Sequence, residues 1–139
     1  MKKAIVIGIN GQDGSYLAEW LLEKGYSVMG WVRPTRLNAV QNIKENLESI
    51  ELTECDLTDS TQIEHYLSTF RPDEIYNLAA QSHVRVSFDM PAYTSDVTAL
   101  GTIRILEAVR RSGIKTRIYQ ASSSEMFGAA NPPQNETTE

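Results

Sequence analysis

The chain has 139 residues, 41% hydrophobic and 22% charged, enough for one domain with a real core and typical of a globular protein. A net charge of -5 offers no general attraction to nucleic acid or anionic lipid, and no segment is long and apolar enough to span a bilayer, so the expected location is cytoplasmic. The single cysteine, Cys55, excludes an internal disulfide or a cysteine-based metal cluster within these residues.

Met1-Lys2-Lys3 ahead of Ala4–Ile7 imitates a signal peptide. The apolar run is short and is broken by Gly8 and Asn10, so it is predicted to be the first strand. Gly8, Gly11 and Gly14 follow at three-residue spacing, and the pattern then becomes helical. Strand, tight turn and helix N-terminus in this order are the context in which a glycine triplet points to a dinucleotide phosphate loop. Gly8 permits the sharp exit from the strand, Gly11 the approach of a pyrophosphate, and Gly14 close packing of helix on strand. Free N–H groups and the positive end of the helix dipole would then face the phosphates. The competing reading is a glycine turn kept only for packing. The helix, Ser15 to Lys24, is expected to turn Leu17, Trp20, Leu21 and Lys24 inward, with Ala18 and Leu22 widening the stripe. Gly25 ends it, and a strand from Tyr26 to Val32 completes a right-handed βαβ unit.

After that strand, Gly30-Trp31-Val32-Arg33-Pro34-Thr35-Arg36 has two arginines and no acid. A carboxylate here would accept the ribose 2′-hydroxyl of NAD and repel a 2′-phosphate, whereas a guanidinium holds the phosphate. The expected cofactor is NADP; the alternative is two solvated surface arginines. A short helix is predicted over Asn38–Leu47 with Val40, Ile43 and Leu47 inward, and a strand over Ile50–Cys55. Asp56 and Leu57 then stand at a strand's carboxyl end, where adenine would lie, although Asp56 reads equally as a turn former. Cys55 is expected to be a small buried apolar residue. Asp59 and Gln62 resemble a capping box, and the following helix should bury Ile63, Tyr66, Leu67 and Phe70 before Pro72 stops it.

Glu74–Ala80 reads as the fourth strand and its exit. A single long helix is expected over about 92–111, with Val97, Leu100, Ile103, Leu106 and Val109 inward, ended by Ser112-Gly113. Thr116–Gln120 is the predicted fifth strand, and the proline- and asparagine-rich stretch 128–139 is a loop. The alternation gives an α/β fold, a doubly wound parallel sheet of the Rossmann type, truncated after about five strands, with 1–139 as a single partial NAD(P)-binding domain. Reactive groups in such a sheet lie beyond the strands' carboxyl ends. Ser122, Ser123, Ser124 and Glu125 stand there after the fifth strand, with Gln81, Ser82 and His83 after the fourth. A carboxylate there can serve as general base and a serine can hold a substrate hydroxyl; equally, serines after a strand often just satisfy turn backbone. His83 reads as structural, and no metal-ligand spacing exists.

Gly8-x-x-Gly11-Gln12-Asp13-Gly14-Ser15-Tyr16-Leu17, Asn77-Leu78-Ala79-Ala80-Gln81-Ser82-His83-Val84, Ser87-Phe88 and Ala121-Ser122-Ser123-Ser124-Glu125 resemble the GDP-mannose 4,6-dehydratase family. Pro133–Thr138 also resembles the segment before that family's catalytic tyrosine motif. The family belongs to the extended short-chain dehydrogenase/reductase superfamily. Gln81 and Ser124 stand where the related dTDP-glucose dehydratases usually carry Glu and Asp. The resemblance implies that Gly8, Asn10, Gly11, Gln12, Asp13 and Gly14 line the pyrophosphate and that Arg33 meets the 2′-phosphate. Asp56 and Leu57 would lie at adenine, Leu78, Ala79, Ala80, Gln81 and Ser82 along the nicotinamide half, and Tyr93 beside the cofactor. Ser87 would touch the sugar-nucleotide substrate, GDP-mannose; Ser123 matches the catalytic Ser/Thr and Glu125 the active-site glutamate.

The implied reaction opens with oxidation of the hexose at C4, which acidifies the C5 proton that Glu125 would remove as the 6-hydroxyl leaves as water. Reduction at C6 then restores the cofactor. Two departures qualify the likeness. The family usually has a second arginine and serines after its first arginine, where this chain has Pro34-Thr35-Arg36, which bears on the expected homo-oligomer. Family members also run more than twice this length and carry a Tyr-x-x-x-Lys pair. None of the six tyrosines here has a lysine four residues later. The expectation is therefore the amino-terminal part of an enzyme, inactive alone. The alternatives are a non-catalytic NADP-binding module, or a nucleotide-sugar epimerase or reductase of the same superfamily, which would have no need of Glu125.

Overall fold

The computed structural model describes residues 1–34, 40–123 and 125–138. Arg36 and Ser124, and the start of the short helix expected from Asn38, lie outside the described residues. Alternation along the first strand dictates the architecture. In β1 (Lys3–Ile7), Ile5 and Ile7 face one side of a sheet while Ala4 and Val6 face the other, and all four are buried. A strand apolar on both faces needs cover on both. Strands β2 (Ser27–Val32), β3 (Ile50–Glu54), β4 (Glu74–Asn77) and β5 (Arg117–Gln120) join it in the order β3-β2-β1-β4-β5, all parallel. The doubly wound parallel sheet anticipated from the alternating pattern is what forms.

One face is covered by α1 (Gln12–Glu23) and a 3-10 helix (Gln41–Ser49) through Ala18, Leu21 and Ile43. The other is covered by α2 (Ser60–Phe70) and α5 (Gly101–Ser112) through Ile63, Leu67, Phe70, Ile105 and Ala108. Asp59 caps α2, its Oδ1 accepting from the N–H groups of Thr61 at 2.8 Å and Gln62 at 3.2 Å. Gln62 does not return the bond to Asp59, as a capping box requires; its Oε1 accepts from the Asp56 N–H at 3.1 Å instead.

Three expected helix faces are corrected. In α1 the buried residues are Gly14, Ser15, Ala18 and Leu21, with Leu17 and Leu22 half-buried against the same core as expected, whereas Trp20 is 51% exposed and stacks under the ammonium of exposed Lys24. The start of the helix lies so close to β1 that the small residues Gly14, Ser15 and Ala18 sit beneath it, with Leu21 packed further along. Of the 3-10 helix only Ile43 is buried, Val40 is half-buried just before it, and Leu47 is exposed.

The long helix is not one uniform α-helix. It runs as α4 (Pro91–Ser95), a π-helical turn (Asp96–Leu100) and then α5, preceded by a separate short α3 (Val84–Asp89), with the Gly101 N–H donating to the Asp96 carbonyl in an i→i+5 bond. Val97, Gly101, Ile105 and Ala108, spaced four, four and three residues apart as one helix face, are the ones buried against the sheet. Leu100, Ile103 and Leu106, expected inward, are exposed.

At the amino ends of the strands, Glu74 is buried among hydroxyl and cationic donors. Tyr76 donates to it at 2.6 Å, Tyr26 at 3.3 Å and Arg117 closes an ion pair, with Lys2 at 3.6 Å. The Tyr76 hydroxyl, then the Arg117 guanidinium, hold the Glu74 carboxyl below its usual range against the opposing effect of burial. Burial and the neighbouring Glu74 push the Tyr76 phenol up to about 12. A carboxyl whose pKa is lower folded than unfolded stabilises the fold above the unfolded pKa and loses that contribution as pH falls through the folded one. Glu74→Gln is therefore expected to cost about 1–3 kcal/mol near neutral pH. Its denaturation midpoint should converge on that of the unmodified chain as pH drops below the carboxylate range. Urea titrations of both chains from pH 7 downwards check this, and a constant gap at every pH would contradict it.

Candidate functional site

The phosphate-loop residues form where β1 ends. Gly8 takes φ +82, a left-handed conformation that a side chain disfavours, and a Cβ on it would also meet Ala79 N at 3.2 Å. The Gly11 N–H closes the turn on the Gly8 carbonyl at 3.0 Å. Gly14 has the tightest surroundings: a Cβ there would stand 2.4 Å from the Gly8 oxygen and 2.8 Å from Ile9 Cα, both backbone. A Cβ at Gly11, by contrast, would meet only the Gly8 oxygen, at 3.2 Å, and is otherwise in open space. Gly11 is also the N-cap of α1, and no side chain caps that end. The result is a helix N-terminus whose first N–H groups open onto a cleft.

The cleft is bounded by Gly8, Asn10 and Gly11, by Trp31 and Arg33 at the end of β2, by Cys55, Asp56 and Leu57 after β3, and by Leu78, Ala79, Ala80 and Val97. It therefore lies beyond the carboxyl ends of the strands at the crossover between β1 and β4, where strand order reverses. Asp56 is a turn former and a cleft residue at once: its Oδ1 accepts from the N–H and hydroxyl of Thr58, both at 2.9 Å, while the residue still lines the wall. Arg33 reaches across the cleft mouth and donates from Nη1 to the Tyr93 hydroxyl of α4 at 2.8 Å.

The opposite end of the cleft follows β4. Asn77, 1% exposed, donates from Nδ2 to Gln120 Oε1 at 2.8 Å and accepts the Ala79 N–H at 3.3 Å, tying β5 to the exit of β4. Beside it a second groove is lined by Leu78, Ala79, Ala80, Thr98, Thr102, Gln120, Ser122 and Ser123. Gln81 is held by its own surroundings: its N–H donates to Thr98 Oγ1 at 3.2 Å and its Nε2 to the His83 carbonyl and Thr94 Oγ1 at 3.1 and 3.3 Å. Ser82 is exposed in that turn, and the Ser87 hydroxyl donates within α3 to the Val84 carbonyl at 2.6 Å. Ser122 adopts φ 64, and Ser123 Oγ accepts the Glu125 N–H at 3.1 Å, so Ser123 and Glu125 share one turn beyond β5.

Glycine loop, uncapped helix and cleft therefore suit a dinucleotide. Gln12 and Asp13 begin α1 at its mouth, both exposed. Trp31, Asn77, Val97 and Gln120 also shape these walls; Asn77 opens a family-like segment and Val97 is expected inward, yet the sequence singles out none of the four for the site. No group of three or more His, Cys, Asp or Glu able to hold a metal occurs among the described residues.

Strand order and cleft define the class: a Rossmann-type α/β domain with its crevice at the strand-order reversal. A sequence profile of GDP-mannose 4,6 dehydratase matches residues 5–139. The chain belongs to the GDP-mannose 4,6-dehydratase family. It is 50% identical to GDP-mannose 4,6 dehydratase 1 of Arabidopsis thaliana, an alignment covering 99% of this chain and 41% of the relative. It is 51% identical to the GDP-mannose 4,6-dehydratase of Yersinia enterocolitica, over 99% of this chain and 40% of that one. The chain thus spans about 40% of the length of these relatives. Among solved structures, the Thermus thermophilus UDP-glucose 4-epimerase complex with NAD superimposes with a TM-score of 0.79 at 27% identity, covering 98% of this chain and 43% of that one.

Cys55 lines the cleft yet is only 4% exposed, and burial, then Asp56 and Asp59, push its thiol up to about 12. The thiol is expected to resist iodoacetamide at pH 7.5 in the folded chain and to react within minutes in 6 M guanidinium, as mass spectrometry of the alkylated chain reads directly. Comparable rates in both conditions would contradict this burial.

Proposed function

We propose that the chain is the NADP-binding part of a nucleotide-sugar dehydratase, a lyase that takes GDP-mannose to its 4-keto-6-deoxy product. The observation that carries the reading is the uncapped N-terminus of α1, opening through Gly8 and Gly11 onto a cleft whose rim at the end of β2 holds Arg33 and no acid. Family membership and relatives named for GDP-mannose dehydration favour this substrate over an epimerase's. Residues 1–139 act as one cofactor domain.

In this reading bound NADP supplies the acceptor and donor of hydride. The loop Gly8–Gly14 with Asn10, Gln12 and Asp13 holds the pyrophosphate, Arg33 the 2′-phosphate, and Asp56 with Leu57 the adenine. Leu78, Ala79, Ala80, Gln81 and Ser82 border the nicotinamide half, with Tyr93 beside the cofactor and Ser87 toward the sugar. Ser123 orients the 4-hydroxyl, and Glu125, on the same turn, takes the C5 proton once a ketone has acidified it. Substrate contacts far from the reacting carbon supply the orientation such a sequence of steps needs. The protein works in the cytoplasm, and self-association into a homo-oligomer is part of the proposal.

If Arg33 grips the 2′-phosphate, calorimetry will show tighter binding of NADP+ than of NAD+. Arg33→Ala then weakens NADP+ by about ten- to hundredfold, the loss of a charge-assisted contact worth about 1.5–3 kcal/mol, and hardly changes NAD+. Equal affinities in the unmodified chain would remove the basis for NADP.

A second reading, a binding module without catalysis, is favoured by one feature: no tyrosine of the chain is followed four residues later by lysine. An unactivated serine hydroxyl is a poor base at neutral pH, so Ser123 cannot replace that pair. The 139-residue chain incubated with NADP+ and GDP-mannose is expected to form no 4-keto-6-deoxy sugar nucleotide by mass spectrometry. Turnover at a rate near that of a full-length relative would show instead that the base lies within these residues.

A further inference from the structure

The adenine-side wall of the cleft is held from behind by a residue outside the site described so far. Arg104 lies in the first turn of α5 with its side chain 22% exposed. Its Nη1 donates to the Leu57 carbonyl at 3.1 Å and to the Asp96 carbonyl at 3.2 Å, while Nη2 meets Asp96 Oδ1 at 2.7 Å. One turn earlier, a Cβ on Gly101 would stand 3.0 Å from Leu57 Cβ and 3.5 Å from its carbonyl oxygen. The helix thus presses on Leu57 as closely as glycine allows, and the arginine ties the carbonyl of the same residue.

The residues so joined belong to both walls. Leu57 is 6% exposed and lines the cleft with Asp56. Asp96 opens the π-turn, which places Val97 in the cleft and offers Thr98 Oγ1 to the Gln81 N–H. On the cleft side, the Asp56–Thr58 and Asp56–Gln62 bonds fix the loop. From behind, among the described residues, the Arg104 guanidinium is what binds Leu57 to the π-turn. A planar fork can serve three acceptors on two segments at once, which a lysine ammonium on a flexible stem does far less well.

We infer that Arg104 is a positioning residue for dinucleotide binding: with Gly101 and the π-turn it sets the spacing between Leu57 and Val97, the gap that receives the adenine half. The inference rests on the dinucleotide reading proposed above. It acts on the part common to NAD and NADP, so its signature differs from that of Arg33.

The test compares the unmodified chain with Arg104→Gln and Arg104→Lys by calorimetry against NADP+ and NAD+, and by amide hydrogen exchange without ligand. Arg104→Gln is expected to weaken both dinucleotides alike, by about tenfold, leaving their ratio unchanged. Arg104→Lys should fall between, and exchange should quicken at 56–59 and 96–98 while β1 and β2 stay protected. Arg111→Gln, which removes a guanidinium paired with Glu64 on the outer surface, should change neither measurement. Undiminished affinity in Arg104→Gln, a changed NADP+/NAD+ ratio, or exchange quickened evenly across the sheet would overturn the inference. Should the unmodified chain bind neither dinucleotide, the functional reading falls. The positioning claim is then decided by exchange: a rise confined to 56–59 and 96–98 upholds the clamp, and any other pattern refutes it.

Discussion

The structure depends on one contact, the approach of α1 to the end of β1 at Gly14. With the Gly8 oxygen 2.4 Å from where a Cβ would be, any side chain at Gly14 must push the helix away from the strand. The strand–helix angle, the phosphate-loop turn and the direction of the α1 N-terminus all follow from that distance. So does the choice of small residues beneath α1, where Ala18 follows Gly14 one turn later. A second close approach supports the first. Gly30 on β2 leaves room for Ile9, whose Cγ2 would stand 2.7 Å from an added Cβ. The loop residue Ile9 is thereby fully buried and anchors the turn from below.

The two ends of the sheet divide the work. At the carboxyl ends, polar groups are held in place while leaving a cleft: Asn77 by Gln120, Asp56 by Thr58 and Gln62, Gln81 by Thr94 and Thr98. At the amino ends the polar groups close on one another, with Glu74 drawing in Tyr26, Tyr76, Arg117 and Lys2 from four places in the chain. Open binding groups at one end and a satisfied cluster at the other are what a parallel sheet favours, because every strand points the same way.

The π-turn links the helical layer to the cleft. π-turns often occur at functional sites, and this one places Val97 in the cleft wall and Thr98 Oγ1 at the Gln81 N–H, with Arg104 reaching the Leu57 carbonyl one turn beyond. On the outer side of the same helix Leu100, Ile103 and Leu106 are exposed.

Much of this was legible in the residues. Strand placement, the glycine loop, the capped start at Asp59 and the burial of Cys55 each rest on local rules: alternation, turn chemistry and capping act over a few residues and read directly. Family membership was legible as well, because the glycine, Asn77–Val84 and Ala121–Glu125 segments are contiguous. Other features required the fold. Trp20 faces outward because the Gly14 contact fixes which face of α1 meets the strand, and Trp20 lies on the side away from Gly14, Ala18 and Leu21. Leu100, Ile103 and Leu106 face outward because a three-residue spacing drifts round a helix of about 3.6 residues per turn, and the buried face is decided where Gly101 packs on Leu57. Asp56 could be assigned both its roles only when Thr58, Gln62 and the cleft were seen around it. Arg33 meeting Tyr93, and Arg104 meeting Leu57, join residues 60 and 47 positions apart. Such pairings are decided where separate elements pack, and tertiary structure alone determines that.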